Sequence, residues 1–467
     1  MSHGKYDCGS LYSRNKRPIN LKNVIIVGNG IAGITTARWV RKLSDHKITV
    51  ISSETDHFFS RTALMYIYMG HMRYEDTKPY EDWFWKKNRI DLVKDHVDNI
   101  DFSAKSLKCR SGKTLSYDKL VLALGSKSNM FGWKGQDLKG VGGLYSYQDL
   151  EQMETYSEGL ERAVIVGGGL IGIEMAEMFH SRNIPVSILV RESSYWDNVL
   201  PYEESKMVTE HIKKHHIDLR LGVNLEEIKD NGKGAAKSII IKETGEEIAC
   251  GYVGLTAGVS PNIGWLEESD LGTGKGIKVN KYLETNQPDV YAVGDCAEQE
   301  DVVEGRRPIE AIWYTGRMMG ETAAYNICNK KVSYDPGIWF NSAKFIDIEY
   351  QVYGEVPSKL PDHLKTIFWK HSDNEKSIRI NYSKDGHIIK GFNLFGIRYR
   401  HEVCEKWIRD KTPVETVLQH LGMANFDPEF YKEYDEEIIN IYNKAEGQNI
   451  KLKTKRGLSK VLSFLNL

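Results

Sequence analysis

The sequence predicts an α/β fold with two parallel-sheet units, the second inserted in the first, followed by a C-terminal α+β domain. Three observations carry this. Two Val/Ile-rich runs each end in a glycine turn, Val24-Ile25-Ile26-Val27-Gly28-Asn29-Gly30-Ile31-Ala32-Gly33 and Val164-Ile165-Val166-Gly167-Gly168-Gly169-Leu170-Ile171-Gly172. The strand–helix–strand alternation that begins after the first turn restarts after the second. From Pro336 onward the pattern changes to period two, as in Ser377-Ile378-Arg379-Ile380-Asn381-Tyr382, with Asp385-Gly386 as a hairpin signal.

Each element follows from its residues. Val24–Val27 reads as a strand buried on both faces, Ile31–Leu43 as a helix and Lys47–Ile51 as the next strand. Tyr117–Gly125 is a further buried strand ending at a glycine. The second unit repeats the order with strand Ala163–Val166, helix Leu170–Arg182 and strand Val186–Val190. Strand Tyr252–Thr256 ends at Ala257-Gly258. Strand Val290–Val293 returns to the first unit and runs into Gly294-Asp295-Cys296, with a helix expected over Glu310–Asn329. The predicted domains are 21–150 with 272–335, then 151–271 and 336–449. A lead covers 1–20 and a basic amphipathic tail 450–467.

Composition narrows the function. A length of 467 residues suits about three domains. The net charge of −1 gives no sign of a nucleic-acid binder. No apolar run approaches the roughly 20 residues of a membrane span. The lead, with Lys5, Arg14, Lys16 and Arg17, lacks the apolar stretch of a signal peptide. The six cysteines are scattered, without C-x-x-C or metal-like spacing, which predicts a cytoplasmic protein with reduced thiols.

The glycine runs carry chemistry. In G-x-G-x-x-G one glycine makes the turn, the next admits a pyrophosphate and the third lets helix and strand pack closely, so the phosphates meet a helix N-terminus. Two such Rossmann-like units predict two dinucleotides, FAD at the first and NAD(P)H at the second, the layout of a flavoprotein reductase. Gly28, Gly30, Ile31, Ala32 and Gly33 would bind FAD, and Gly167, Gly169, Leu170, Ile171 and Gly172 would bind NAD(P)H. Glu54, about 20 residues beyond Gly33, suits the adenosine ribose. Asp295, at a strand end beside Gly294, suits a ribityl hydroxyl. Glu192 and Gly172 favour NADH, while Arg191 keeps a 2′-phosphate and NADPH open.

This order of motifs resembles the FAD-dependent pyridine-nucleotide oxidoreductase superfamily, and within it the ferredoxin/rubredoxin reductase-like and nitrite reductase flavoprotein-like groups. The residues carrying the resemblance are Phe59-Ser60-Arg61-Thr62-Ala63-Leu64, Tyr117–Gly125 with Ala123, Gly167–Glu174, Gly258–Asn262 and Glu284–Asp295. It implies Arg61 beside the FAD pyrophosphate. It also implies Glu174 near the nicotinamide–flavin contact. Glu310 would either hold the nicotinamide amide or cap the helix it opens. The superfamily's redox-active cysteine pair is missing, and Arg61 stands where some members place a cysteine. Cys296 reads as a small buried residue. The resemblance therefore implies hydride transfer from NADH and delivery of electrons, without a cysteine relay, to a small iron–sulfur redox protein. A membrane-surface NADH:quinone reductase using the tail 450–467 is one alternative. A redox-sensing interaction protein similar to apoptosis-inducing factor is another, and a homodimer through the third domain also stays open. Leu64-Met65-Tyr66 and Asn341 depart from the ferredoxin-reductase pattern, with Tyr66 at the place of a flavin-side lysine.

Overall fold

The computed structural model describes residues 21–427 and 432–453. The lead and residues 454–467 of the predicted tail lie outside them. The first sheet is fully parallel, with strands in the spatial order Val290–Ala292, Lys119–Leu122, Asn23–Val27, Lys47–Ser52 and Ile90–Lys94. Asn23–Val27 is central, and four of its five residues are buried, as a run of β-branched side chains between helix layers requires. Chain order reverses between Asn23–Val27 and Lys119–Leu122. The carboxyl ends of strands on either side of such a reversal are where open α/β sheets bind ligands.

The second sheet has the same plan. Its order is Asp218–Leu221, Val186–Val190, Ala163–Val166, Tyr252–Leu255 and Val141–Gly142. Order reverses here between Ala163–Val166 and Tyr252–Leu255. Because Val290–Ala292 closes the first sheet, the second unit is inserted in the first. Two differences from the sequence reading have physical causes. Val141–Gly142 was expected in the first unit, yet it pairs with Tyr252–Leu255, because that open edge offers unpaired backbone groups. The two units are joined earlier, where Ser126–Ser128 pairs antiparallel with Val259–Pro261. The helix expected over Glu310–Asn329 runs only from Trp313 to Ile327. Its predicted first turn is not helical: Ile312 is extended, at φ −135° and ψ 139°, and its N–H donates back to the Glu310 carbonyl.

The C-terminal unit is a five-stranded antiparallel sheet, ordered Phe340–Phe345, Ile348–Gly354, Ile389–Phe395, Ser377–Ser383 and Leu364–Lys370. The Asp385-Gly386 signal marks the turn between Ser377–Ser383 and Ile389–Phe395. Helices His401–Arg409, Val414–Gln419 and Asp435–Glu446 close one core around Ile380, Phe392, Tyr399 and Tyr442. Phe345, Ile348, Tyr350, Val352 and Phe395 instead join the core of the second unit, beside Ile188, Met207 and Val208. Residues 450–453, at the start of the predicted tail, are tied back to this unit. The Asn443 side chain bonds Ile450 N–H and C=O, and the Lys453 N–H reaches the Gln419 carbonyl. Among the described residues no helix is long and apolar enough to cross a membrane.

Candidate functional site

The two glycine turns sit at the two points of strand-order reversal and have the same construction. Gly28 has φ +111°, and a Cβ there would lie 2.0 Å from the Ala123 carbonyl oxygen on the neighbouring strand end. A Cβ on Gly33 would lie 2.0 Å from the Gly28 oxygen. Among the described residues nothing beyond its chain neighbours lies within 4 Å of a Cβ on Gly30, and none caps with its side chain the helix Ile31–Leu43 that starts there. The second turn matches. Gly167, at φ +130°, and Gly172 are walled in by the Thr256 and Gly167 oxygens at 2.6 and 2.5 Å. Gly169 faces open space at an uncapped helix start, Leu170–Ser181. Each cradle thus pairs packed outer glycines with a bare middle one beside free helix N–H groups. That is the shape and polarity a pyrophosphate needs. The residues present fit one dinucleotide at each turn.

Around the first cradle the structure gathers the sequence-predicted residues. Arg61 donates two hydrogen bonds to Glu54, at 2.8 and 2.6 Å, and the Tyr147 N–H adds a third at 2.9 Å. Arg61 also donates to the Tyr145 carbonyl and lies over the Tyr145 ring, 4.6 Å from its centroid. The Tyr145 hydroxyl donates to Asp295 Oδ2 at 3.0 Å and accepts from the Ser126 N–H at 2.8 Å. Burial pushes the Asp295 carboxyl above the usual range, against the pull of Tyr145 and Arg61. Glu54, Arg61, Tyr145 and Asp295 therefore form one chain of polar contacts joining the end of the second strand to the Gly294-Asp295 turn. Gly125, at φ +66°, touches the Tyr145 hydroxyl, where a Cβ would come within 2.7 Å. Tyr145 was missed by sequence reasoning. It belongs to no glycine motif, and its role depends on partners 84 and 150 residues away.

At the second cradle the Tyr195 hydroxyl donates to the Gly169 carbonyl at 2.8 Å and braces the turn. Arg191 and Glu192 follow the strand Val186–Val190 and pair with each other at 2.7 Å, with Arg191 turned to solvent. Gly258, at φ +91°, accepts from the Asn129 N–H through its carbonyl, where the chain passes between units. Glu174 lies on the helix after Gly172, half-buried, one turn before Glu177, whose carboxylate holds Lys344 at 2.6 Å. Burial first, then the Glu177 charge, pushes the Glu174 carboxyl up to about 7, with Lys344 opposing. The carboxyl stays protonated in the folded state at pH values where it has ionised in the unfolded chain. Stability is thus fully present below about pH 4.5 and falls as pH rises toward 7. Glu174→Gln is expected to remove this loss. Its advantage over the parent should grow between pH 5 and 8, to on the order of 2–3 kcal/mol, in denaturant melts.

One expectation is corrected at Glu310, and Tyr66 and Cys296 take the following places. Glu310 neither opens a helix nor caps one. It lies three residues before Trp313, and Arg306 takes both its oxygens, at 2.7 and 2.5 Å, in a buried pair. Tyr66 is exposed and stacks on His71. The Cys296 thiol is fully buried, with the Leu122 and Val293 carbonyls, each at 3.4 Å, as acceptors for its single S–H. Burial pushes it up to about 12, which keeps it a thiol.

Comparison with known proteins agrees with this construction. The chain is 27% identical over 287 residues to the assimilatory nitrate reductase electron transfer subunit of Bacillus subtilis. That match covers 61% of this chain but only 37% of the relative's length. It is 26% identical over 339 residues to an NADH-rubredoxin oxidoreductase of Clostridium acetobutylicum, covering 72% of this chain and 83% of the relative. In structure it is similar to a NAD-dependent persulfide reductase from A. fulgidus, with TM-score 0.79 at 23% identity over 91% of this chain and 84% of that one. Residues 22–320 match the family pyridine nucleotide-disulphide oxidoreductase over more than half of the chain, so the protein belongs to that family and shares its cofactors, FAD and NAD(P)H.

Proposed function

We propose that this chain is an FAD-dependent reductase that takes hydride from NAD(P)H, with NADH preferred, and delivers electrons to a small redox protein of the rubredoxin or ferredoxin kind. The observation that carries this is the pair of matched cradles at the two strand-order reversals. The chemistry a bound FAD supplies is hydride acceptance and release of electrons singly or in pairs.

The protein's part is placement. The open space at Gly30, with the N–H groups of Ile31 and Ala32, receives one pyrophosphate, and Arg61 supplies a cation beside it. Glu54 then accepts from ribose hydroxyls, and Asp295 from a ribityl hydroxyl. Tyr145 couples these two ends of the site. At the second cradle Gly169, Leu170 and Ile171 receive the other pyrophosphate. Glu192 accepts from a free 2′-hydroxyl, which NADPH lacks. Glu174 holds a proton near neutral pH on the helix leading from that cradle. The buried, protonated Cys296 supports electron delivery without a thiolate. The name of the C. acetobutylicum relative supports the acceptor class.

The test is anaerobic stopped-flow reduction of the purified yellow protein by NADH and by NADPH, then reoxidation by rubredoxin, ferredoxin, a menaquinone analogue or oxygen. Fast bleaching with NADH and fast reoxidation by an iron–sulfur protein are expected. Glu192→Ala should weaken NADH use about tenfold and narrow the preference over NADPH, consistent with loss of a charge-assisted hydrogen bond. Reoxidation by quinone alone would overturn the acceptor, and slow reduction by both nucleotides would overturn the reductase reading.

A further inference from the structure

A second constellation lies away from both cradles, where the second unit meets the C-terminal sheet. His211 and His215 are four residues apart at the end of the helix Tyr202–Lys214, so both rings project from one face. Asp347 lies in the turn between the strands Phe340–Phe345 and Ile348–Gly354 of the other unit. One carboxylate oxygen of Asp347 meets Nε2 of both rings. It bonds His211 directly and lies 3.5 Å from His215 Nε2. The three donor atoms all fall within 4.8 Å of one another.

We propose that His211, His215 and Asp347 form a binding site for a divalent transition metal of the zinc class, clamping the second nucleotide unit to the C-terminal sheet. Two imidazoles and one carboxylate are a donor set that zinc accepts, and paired histidines at helical i, i+4 spacing present their nitrogens to one point. In a tetrahedral zinc site neighbouring donors stand about 3.3 Å apart. The His215–Asp347 distance of 3.5 Å is close to that value, and the His211–Asp347 hydrogen bond would open to reach it. A dication placed between the three groups takes one lone pair from each of them.

Burial supports the same reading. His211 is enclosed, with its side chain 2% exposed, while His215 and Asp347 are 28% and 64% exposed. The ion thus has a fixed inner ligand and an outer side open to water, which supplies the fourth ligand. The neighbouring cations are already engaged, Lys214 by Glu375 and Lys344 by Glu177. The Asp347 charge is left facing the histidines. The hairpin that carries Asp347 also carries Lys344, which reaches the helix bearing Glu174. A bound ion would therefore hold the C-terminal sheet in register with the nicotinamide side of the second unit.

The experiment uses the full-length flavin-loaded protein, stripped with chelator and titrated with Zn²⁺ by calorimetry and with Co²⁺ by visible absorption. One equivalent of each is expected to bind, with a rise in unfolding temperature on adding Zn²⁺. His215→Ala keeps the buried His211–Asp347 contact, and Asp347→Asn keeps the side-chain shape. Both should retain flavin and the parent's metal-free melting behaviour, yet bind Zn²⁺ at least tenfold more weakly and lose the thermal shift. Absence of saturable binding by the parent would overturn the site, and so would unchanged binding in both variants. Neither result bears on reduction by NADH, so the reductase reading is tested separately.

Discussion

Gly30→Val is expected to yield a folded protein without flavin. Gly30 has φ −68° and ψ −179°, which any residue adopts, and among the described residues nothing beyond its chain neighbours lies within 4 Å of a Cβ placed there. The backbone and core therefore tolerate the substitution. The side chain would instead fill the space through which the pyrophosphate must approach the helix N-terminus. Loss of that approach should weaken FAD binding at least a hundredfold, a cost of about 3 kcal/mol or more. The purified variant should be colourless, with a far-ultraviolet spectrum like the parent's. Gly169→Val is the counterpart. It should stay yellow but fail to be reduced by NADH at concentrations that saturate the parent. If Gly30→Val binds flavin normally, the first cradle is not the FAD site. Gly28→Ala should behave differently from both, because its Cβ would strike the Ala123 oxygen and its φ is +111°. That variant should fail to accumulate as folded protein.

The second large effect concerns stability. Arg379, on the strand Ser377–Ser383, donates to both oxygens of Glu204, at 2.6 and 2.8 Å. Glu204 lies on the helix Tyr202–Lys214 of the second unit and is fully buried. Arg379 also reaches Glu203 at 2.7 Å and lies over the Phe368 ring. Arg379→Met would leave the Glu204 carboxylate buried without its cation. Removing one partner of such a pair costs about 3–5 kcal/mol, because the other charge stays desolvated. The variant should melt well below the parent. Adding Glu204→Leu should restore much of the loss, since replacing both charges by apolar groups avoids the desolvation that one leaves behind. A double-mutant cycle in urea measures the coupling. A small effect for Arg379→Met alone would mean that water reaches Glu204 in solution.

Both predictions draw on features with different visibility in the chain. The cradle was readable because its requirement is local. A strand end, a turn with φ near +110° and a close helix start together demand glycine at the two outer positions, and room for a pyrophosphate demands it at the middle one. Glu54 and Asp295 were read from their places at strand ends and Arg61 from the family resemblance, and the structure gathers all three beside the first turn. The reading of Glu310 as a helix opener or cap is corrected. That reading assumed a helix from Glu310, but the helix begins only at Trp313, after an irregular segment, and Arg306 occupies the Glu310 carboxylate.

What the sequence determined by itself was the pair of strand–turn–helix units, their insertion one in the other, and the two glycine turns that leave bare backbone at a helix start. These follow from steric limits on a few consecutive residues. Only the tertiary structure decided that Tyr145 links Arg61 to Asp295, that Arg379 meets Glu204 across 175 residues, and that Asp347 comes to two histidines 136 and 132 positions earlier. A polar side chain leaves no periodic mark of its partner in the sequence. Its partner is set by how whole sheets and helices pack, because burial leaves a charge or hydroxyl stable only where a complementary group arrives with it.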